Sequence, residues 1–160
     1  MKKILIFYII SLSGFLSLSS CEFLKTEDEK IKEAMIGKYY EDDNEEDEEI
    51  KIKDSKGEYF VDGRFFSEAA FEFLDEEIFD GNDIVVKISG NWDVKDGFLY
   101  LTPDYNSVNI EPELYEIFLK DQLIQDLKDK NSPYKIIEYD ASKVIYENAD
   151  GERTTMKKSY

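Results

Sequence analysis

Residues 83–103 read DIVVKISGNWDVKDGFLYLTP. Two runs rich in β-branched and aromatic residues flank Lys95-Asp96-Gly97, and Asp-Gly between such runs is a strong short-range hairpin signal. The same grammar extends upstream. EIKIKD at 49–54 alternates Ile50 and Ile52 with charges, Ser55-Lys56-Gly57 is expected to turn the chain, EYFVD follows, and Asp62-Gly63 turns it again. RFFSEAAFEFL at 64–74 places Phe65, Ala69, Phe71 and Phe73 on one strand face. Its Ala, Glu and Leu would also suit a helix over 67–79, but strand is the preferred reading. Asp80-Gly81 is expected to turn the chain into the quoted hairpin.

Downstream the pattern returns with YKIIEYD, a turn at Ala141-Ser142, KVIYEN, a turn over Asn148-Ala149-Asp150-Gly151, and ERTTMKKSY. No internal repeat emerges. About eight short strands joined by tight turns suggest an antiparallel barrel or sandwich, and closure into a barrel would remove the exposed edges that invite aggregation.

Two segments break the strand pattern. Thr26 and Glu29 fit the S/T-x-x-E capping box, Ile31, Ala34 and Met35 share a helical face, and Gly37 supplies a stop, so a short helix is expected over 27–36. A helix this short is not stable alone, and its apolar stripe is expected to close one end of the domain. The second segment, 108–130, carries Pro112 and then Leu114, Tyr115, Ile117, Phe118, Leu119, Leu123, Ile124 and Leu127. It is expected to be a helical insertion near 111–130. At about 100° per residue, the apolar positions of 114–119 centre opposite those of 123–127. Either the helix breaks near Lys120-Asp121 or it is covered on two sides, and a break is expected.

The chain opens MKKILIFYIISLSGFLSLSS before its only cysteine, Cys21. Lys2 and Lys3 followed by an apolar run is the layout of a secretory signal, and the run falls short of the roughly 20 apolar residues that span a bilayer. Leu18-Ser19-Ser20-Cys21 resembles the lipobox of bacterial lipoproteins. That resemblance implies cleavage before Cys21, lipidation of its thiol and acylation of the new amino terminus. A disulfide within the chain has no second cysteine, and a thiolate nucleophile has no histidine to act as its base. Two or more acyl chains would hold the protein stably on a membrane. The expected organisation is a cleaved signal at 1–20, lipidated Cys21 with a tether at 21–30, and a single domain at 31–160.

The full chain carries a formal charge of −17, and loss of Lys2 and Lys3 with the signal takes this to about −19. Such acidity repels phosphate backbones, so nucleic-acid binding is disfavoured. The acidic run EDDNEEDEE at 41–49 lacks the ligand spacing of a calcium loop, and it is expected to be a solvated connection. With no histidine in the chain, Ser-His-acid and Cys-His mechanisms are excluded and common zinc sites lose their usual ligands. No metal or cofactor is expected. A carboxylate pair could in principle cleave glycosides, but with 37 acids some such pair arises by chance, and no residue is singled out as catalytic.

Several landmarks occur in order: Ile36-Gly37-Lys38-Tyr39, Asp62-Gly63-Arg64-Phe65, Ser89-Gly90-Asn91-Trp92, Asp96-Gly97-Phe98-Leu99-Tyr100, and Tyr139-Asp140-Ala141-Ser142-Lys143-Val144. This succession, over roughly 36–158, resembles the small lipocalin-like lipoproteins of bacteria. The resemblance implies a mainly β, up-and-down antiparallel barrel that binds rather than catalyses. The chain has Gly37-Lys38-Tyr39 where a lipocalin usually has Gly-x-Trp, and the insertion at 111–130 interrupts the meander.

Two functions are compatible with these features. A hollow barrel would enclose a small apolar ligand, with Phe71, Phe73, Trp92, Leu99 and Leu101 as expected cavity residues; the competing reading of each is plain core packing. A filled barrel would instead present a surface to an envelope protein, supported by any exposed apolar patch beside Leu123, Ile124 and Leu127. The lipoprotein resemblance places either at the bacterial cell envelope. Glu22 after Cys21, and the acids at 27–29, point to the outer rather than the inner membrane by that resemblance.

Overall fold

The computed structural model describes residues 25–41, 50–73, 83–129 and 131–159. The signal segment, Cys21, the acidic residues 42–49 and the Asp80-Gly81 turn lie outside the described residues. Helix α1 spans Glu27–Met35, and strands β1 (Gly37–Glu41), β2 (Ile50–Tyr59), β3 (Arg64–Phe73), β4 (Ile84–Lys95) and β5 (Phe98–Glu111) follow. Helix α2 (Glu113–Asp129) then leads into β6 (Tyr134–Tyr139), β7 (Lys143–Glu147) and β8 (Arg153–Lys158). Each strand pairs antiparallel with the next, and β8 returns to β1 through Tyr39↔Lys158, Tyr40↔Lys157 and Glu41↔Met156. The result is the expected closed up-and-down barrel of eight strands.

Helix α1 starts as its sequence dictates. The Thr26 hydroxyl accepts from the Glu29 amide at 3.3 Å, and the Glu29 carboxylate accepts from the Thr26 amide at 2.7 Å. It stops at Gly37, whose φ of 136° suits glycine rather than an L side chain. Ile31 and Met35 are buried in the main core with Tyr39, Val94, Val144 and Met156, so α1 closes that end of the barrel. Polar contacts fix it there. The Asp28 carboxylate accepts from the amides of Asp96 and Gly97 at 2.8 and 2.9 Å, Lys32 pairs with Asp93 at 2.6 Å, and Tyr139 donates to Glu27.

The quoted hairpin forms as expected, with Asp96 and Gly97 at φ 54° and 77° in the two-residue turn that favours Asp-Gly. Position 64–73 is strand, as preferred. Two expectations are corrected. Ser55-Lys56-Gly57 does not turn: β2 runs through it, Gly57 pairing with both Tyr39 and Ser67, and the chain reverses at residues 60–63, where Gly63 has φ 81°. Hydrogen bonding to a strand on each side keeps Gly57 extended. Nor does α2 break at Lys120-Asp121, because it is one continuous helix of 17 residues.

The reason lies in what α2 covers. Beyond the barrel proper, β4 and β5 continue as a hairpin whose register shifts between Lys87 and Ser89. Ser107 stitches that irregularity, accepting from the Ser89 amide at 2.9 Å and donating to the Asp104 carbonyl at 2.7 Å. The shift moves the buried side of β5 from Leu99 to Val108 and Ile110, which join Ile84 in a second small core. Tyr115, Leu119, Leu123 and Ile124 pack on it. At about 100° per residue these four share one half of the helix circumference. Leu114, Ile117 and Phe118 fall on the other half and are 64, 79 and 72% exposed. The helix thus has two apolar sides, one packed and one open.

Strand β6 pairs with β5 only at Phe98↔Lys135 and Leu99↔Tyr134. Past Leu99, β5 is an edge, where Pro103 is tolerated. The face of β4 that carries Trp92 and Val94 inward continues by alternation through Ile88, Val86 and Ile84, so α2 packs against the inward side of the tall β4–β5 wall.

Candidate functional site

An eight-strand barrel is just wide enough for its side chains to fill it or to hold one small ligand. Here the filling is unequal. Tyr59, Phe65 and Trp92 pack as rings toward the α1 end, Tyr59 meeting Trp92 edge-on at 5.6 Å and stacking with Phe65 at 6.3 Å. The Trp92 indole donates to the Phe60 carbonyl at 3.1 Å, which satisfies its one polar atom. Above these rings lies a cavity of about 270 Å³, lined from six strands: Glu41 of β1, Ser55 and Tyr59 of β2, Phe65 and Ser67 of β3, Leu99 and Leu101 of β5, Tyr134 of β6 and Tyr146 of β7. Since β2 and β3 stand across the barrel from β6 and β7, the cavity is interior. A larger hollow of about 660 Å³ lies on the outer face of α2, lined by that helix alone, and cannot enclose a molecule.

The cavity residues follow from strand alternation. Tyr39 is buried on β1, so Glu41, two residues on, faces the same side. Val144 is fully buried on β7, and Tyr146 follows it inward. Tyr134 and Tyr146 meet edge-to-face at 5.1 Å. The Glu41 carboxylate accepts from the Tyr146 hydroxyl at 2.7 Å and from the Ser55 hydroxyl at 3.1 Å. Bonds of this kind to an ionised acceptor are roughly twice as strong as neutral ones.

The electrostatics are one-signed. Burial first, and then the negative charge of Glu41, push the hydroxyl pKa values of Tyr59, Tyr134 and Tyr146 above the ordinary value of 10.0. All three remain neutral hydrogen-bond donors through the physiological range. Among the described residues Glu41 is the single acid lining the cavity. Among the described residues no group of three or more potential ligands is placed to hold a metal ion, and no helix is long and apolar enough to cross a membrane.

Leu99 and Leu101 form part of the cavity wall. Trp92 lies one ring below it, in contact with Tyr59. Phe71 is half-buried on the same face of β3 as Phe65, and the Phe73 side chain lies outside the described residues. The polar wall was missed. In the sequence Glu41 heads the acidic run, although the alternation Tyr39-x-Glu41 carries the signal for an inward acid. Tyr134 and Tyr146 fall in expected strands, but in the sequence no partner strand orients them.

Against solved structures, the chain is similar to a lipocalin-like protein from Bacteroides uniformis ATCC 8492, at 14% identity over 79% of this chain and 99% of that one, with a TM-score of 0.44. No protein-family model and no curated protein matches the chain. The assignment of a closed barrel rests on the strand pairing itself.

Proposed function

We propose that this protein is a non-catalytic binder of a small ligand, held in the barrel interior and carried at the bacterial cell envelope by a lipid anchor on Cys21. The observation that carries the binding reading is the interior cavity lined from six strands. At roughly 30 Å³ per water, its volume equals about nine waters, which suits a molecule on the order of ten non-hydrogen atoms and is too small for a long acyl chain. Rings and leucines would bury an apolar body, while the hydroxyls and Glu41 would fix its orientation, the division of labour common in small-molecule sites.

The anchor reading is supported by the ordered basic start, apolar run and Cys-terminated box. Because Lys25 pairs with Glu33, Thr26 caps α1, and Glu27 and Asp28 bind the barrel, the tether would lie on the amino-terminal side of Lys25. A second reading, contact with an envelope protein, is favoured by the exposed stripe Leu114, Ile117 and Phe118.

Native mass spectrometry of the full chain recovered from its own envelope tests the first reading. A defined extra mass, separate from the acyl groups and released on denaturation, is expected. A chain carrying acyl groups alone moves the function to the α2 stripe. For the anchor, Cys21→Ala is expected to leave the membrane fraction, and unchanged fractionation refutes it.

A further inference from the structure

We propose that the cavity takes a small organic cation, a primary or secondary amine on an apolar body, with its nitrogen at Glu41. This rests on the binding reading above and names its ligand class.

Three observations converge on a cation. The first is the sign of the wall. Among the described residues, Glu41 is the sole charged group lining the cavity, and no lysine or arginine forms an ion pair with it. An anion would meet uncompensated repulsion. A neutral ligand would strip water from the carboxylate and return no charge, whereas an ammonium group would supply the missing partner.

The second is unused acceptor capacity. An ionised carboxylate offers about four lone-pair sites, and Tyr146 and Ser55 occupy one on each oxygen. Those two donors hold the group in place and leave acceptor positions for N–H donors. The Ser67 and Tyr134 hydroxyls, on the same cavity wall, can also accept. A quaternary ammonium has no N–H with which to use them and a protonated tertiary amine has a single one, hence the restriction to primary and secondary amines.

The third is the aromatic lining. Tyr134 and Tyr146 stand edge-to-face beside the carboxylate, with Tyr59 and Phe65 deeper in. Ring faces attract cations through their quadrupole and shelter an apolar body. At longer range the net charge of −17 raises the local concentration of cations around the protein and speeds their entry.

Isothermal calorimetry on the full chain with three probes of nearly equal size, 2-phenylethylamine, 2-phenylethanol and phenylacetate, separates the outcomes. The amine is expected to bind roughly tenfold more tightly than the alcohol, and phenylacetate is expected to give no binding. Glu41→Gln is expected to abolish the preference for the amine. Tyr146→Phe, which keeps both carboxylate and ring, is expected to retain it. The ranking on the unaltered chain stands even if Glu41→Gln does not fold. Equal binding of amine and alcohol, or binding of phenylacetate, overturns the cation while leaving the binding role intact. Absence of binding by all three overturns both.

Discussion

A methyl group at position 90 would lie 2.3 Å from the Thr102 carbonyl oxygen and 2.8 Å from both the Phe65 ring and the Pro103 Cα. Two of those neighbours are backbone and cannot yield, so Gly90→Ala is expected to cost about 1–3 kcal/mol in urea unfolding. The tyrosines of the cavity make a second expectation, in pH. Their folded pKa values are raised above 10.0 by burial and by Glu41, so above about pH 10 the unfolded chain binds fewer protons than the folded one. Stability contributed by these groups is fully present below pH 10 and is lost as pH rises through the folded values. Denaturant midpoints should fall above pH 10, and Tyr146→Phe should make that fall shallower. At this scale the sequence was partly legible: alternation placed Leu99 and Leu101 inward. The same alternation from Tyr39 points to Glu41, but Glu41 reads as the first residue of the solvated acidic run at 41–49.

Among the elements, local signals succeeded where the local cause was sufficient. The capping box of α1 and the Asp-Gly turn after β4 each satisfy their own backbone groups, and both were read from a few residues. Ser55-Lys56-Gly57 has equally good turn chemistry, but there pairing with β1 and β3 decides the conformation. The far half of β5 was also missed, since Ser107 supports a register shift that no single-strand period describes. In α2 the two opposed apolar faces are legible, and the error is to resolve them by a break at Lys120-Asp121 rather than by one helix with two apolar sides. Because the helix is continuous and packs Leu119 and Leu123 on either side of Asp121, Asp121→Pro is expected to destabilise by about 3 kcal/mol or more. Circular dichroism and thermal unfolding of that variant check this; an unchanged midpoint would restore the break.

Over the whole molecule, the barrel is closed but uneven. It is tightly cored at the α1 end by Ile31, Met35, Tyr39, Val94 and Val144, and hollow where Glu41, Tyr134 and Tyr146 face one another. The antiparallel β architecture was legible, but the count of eight rests on two offsetting errors: β2 is one strand where the false turn at 55–57 implies two, and Gly37–Glu41 is a strand that the pattern does not count. The cavity was not legible, because its lining comes from strands brought together only by closure. Asp28 joins α1 to the β4–β5 turn through two amide hydrogen bonds, and charged hydrogen bonds of this kind contribute about 1.5–3 kcal/mol. Asp28→Ala is therefore expected to loosen the α1 end of the barrel, read as faster amide exchange at Asp96 and Gly97. The most direct measurement of the site is a crystal structure of the full chain grown with 2-phenylethylamine. The expected result is density for the probe inside the barrel, its nitrogen within hydrogen-bond distance of the Glu41 carboxylate and its ring between Tyr134 and Phe65. A barrel interior filled by its own side chains, with Glu41 turned out to solvent, would contradict it.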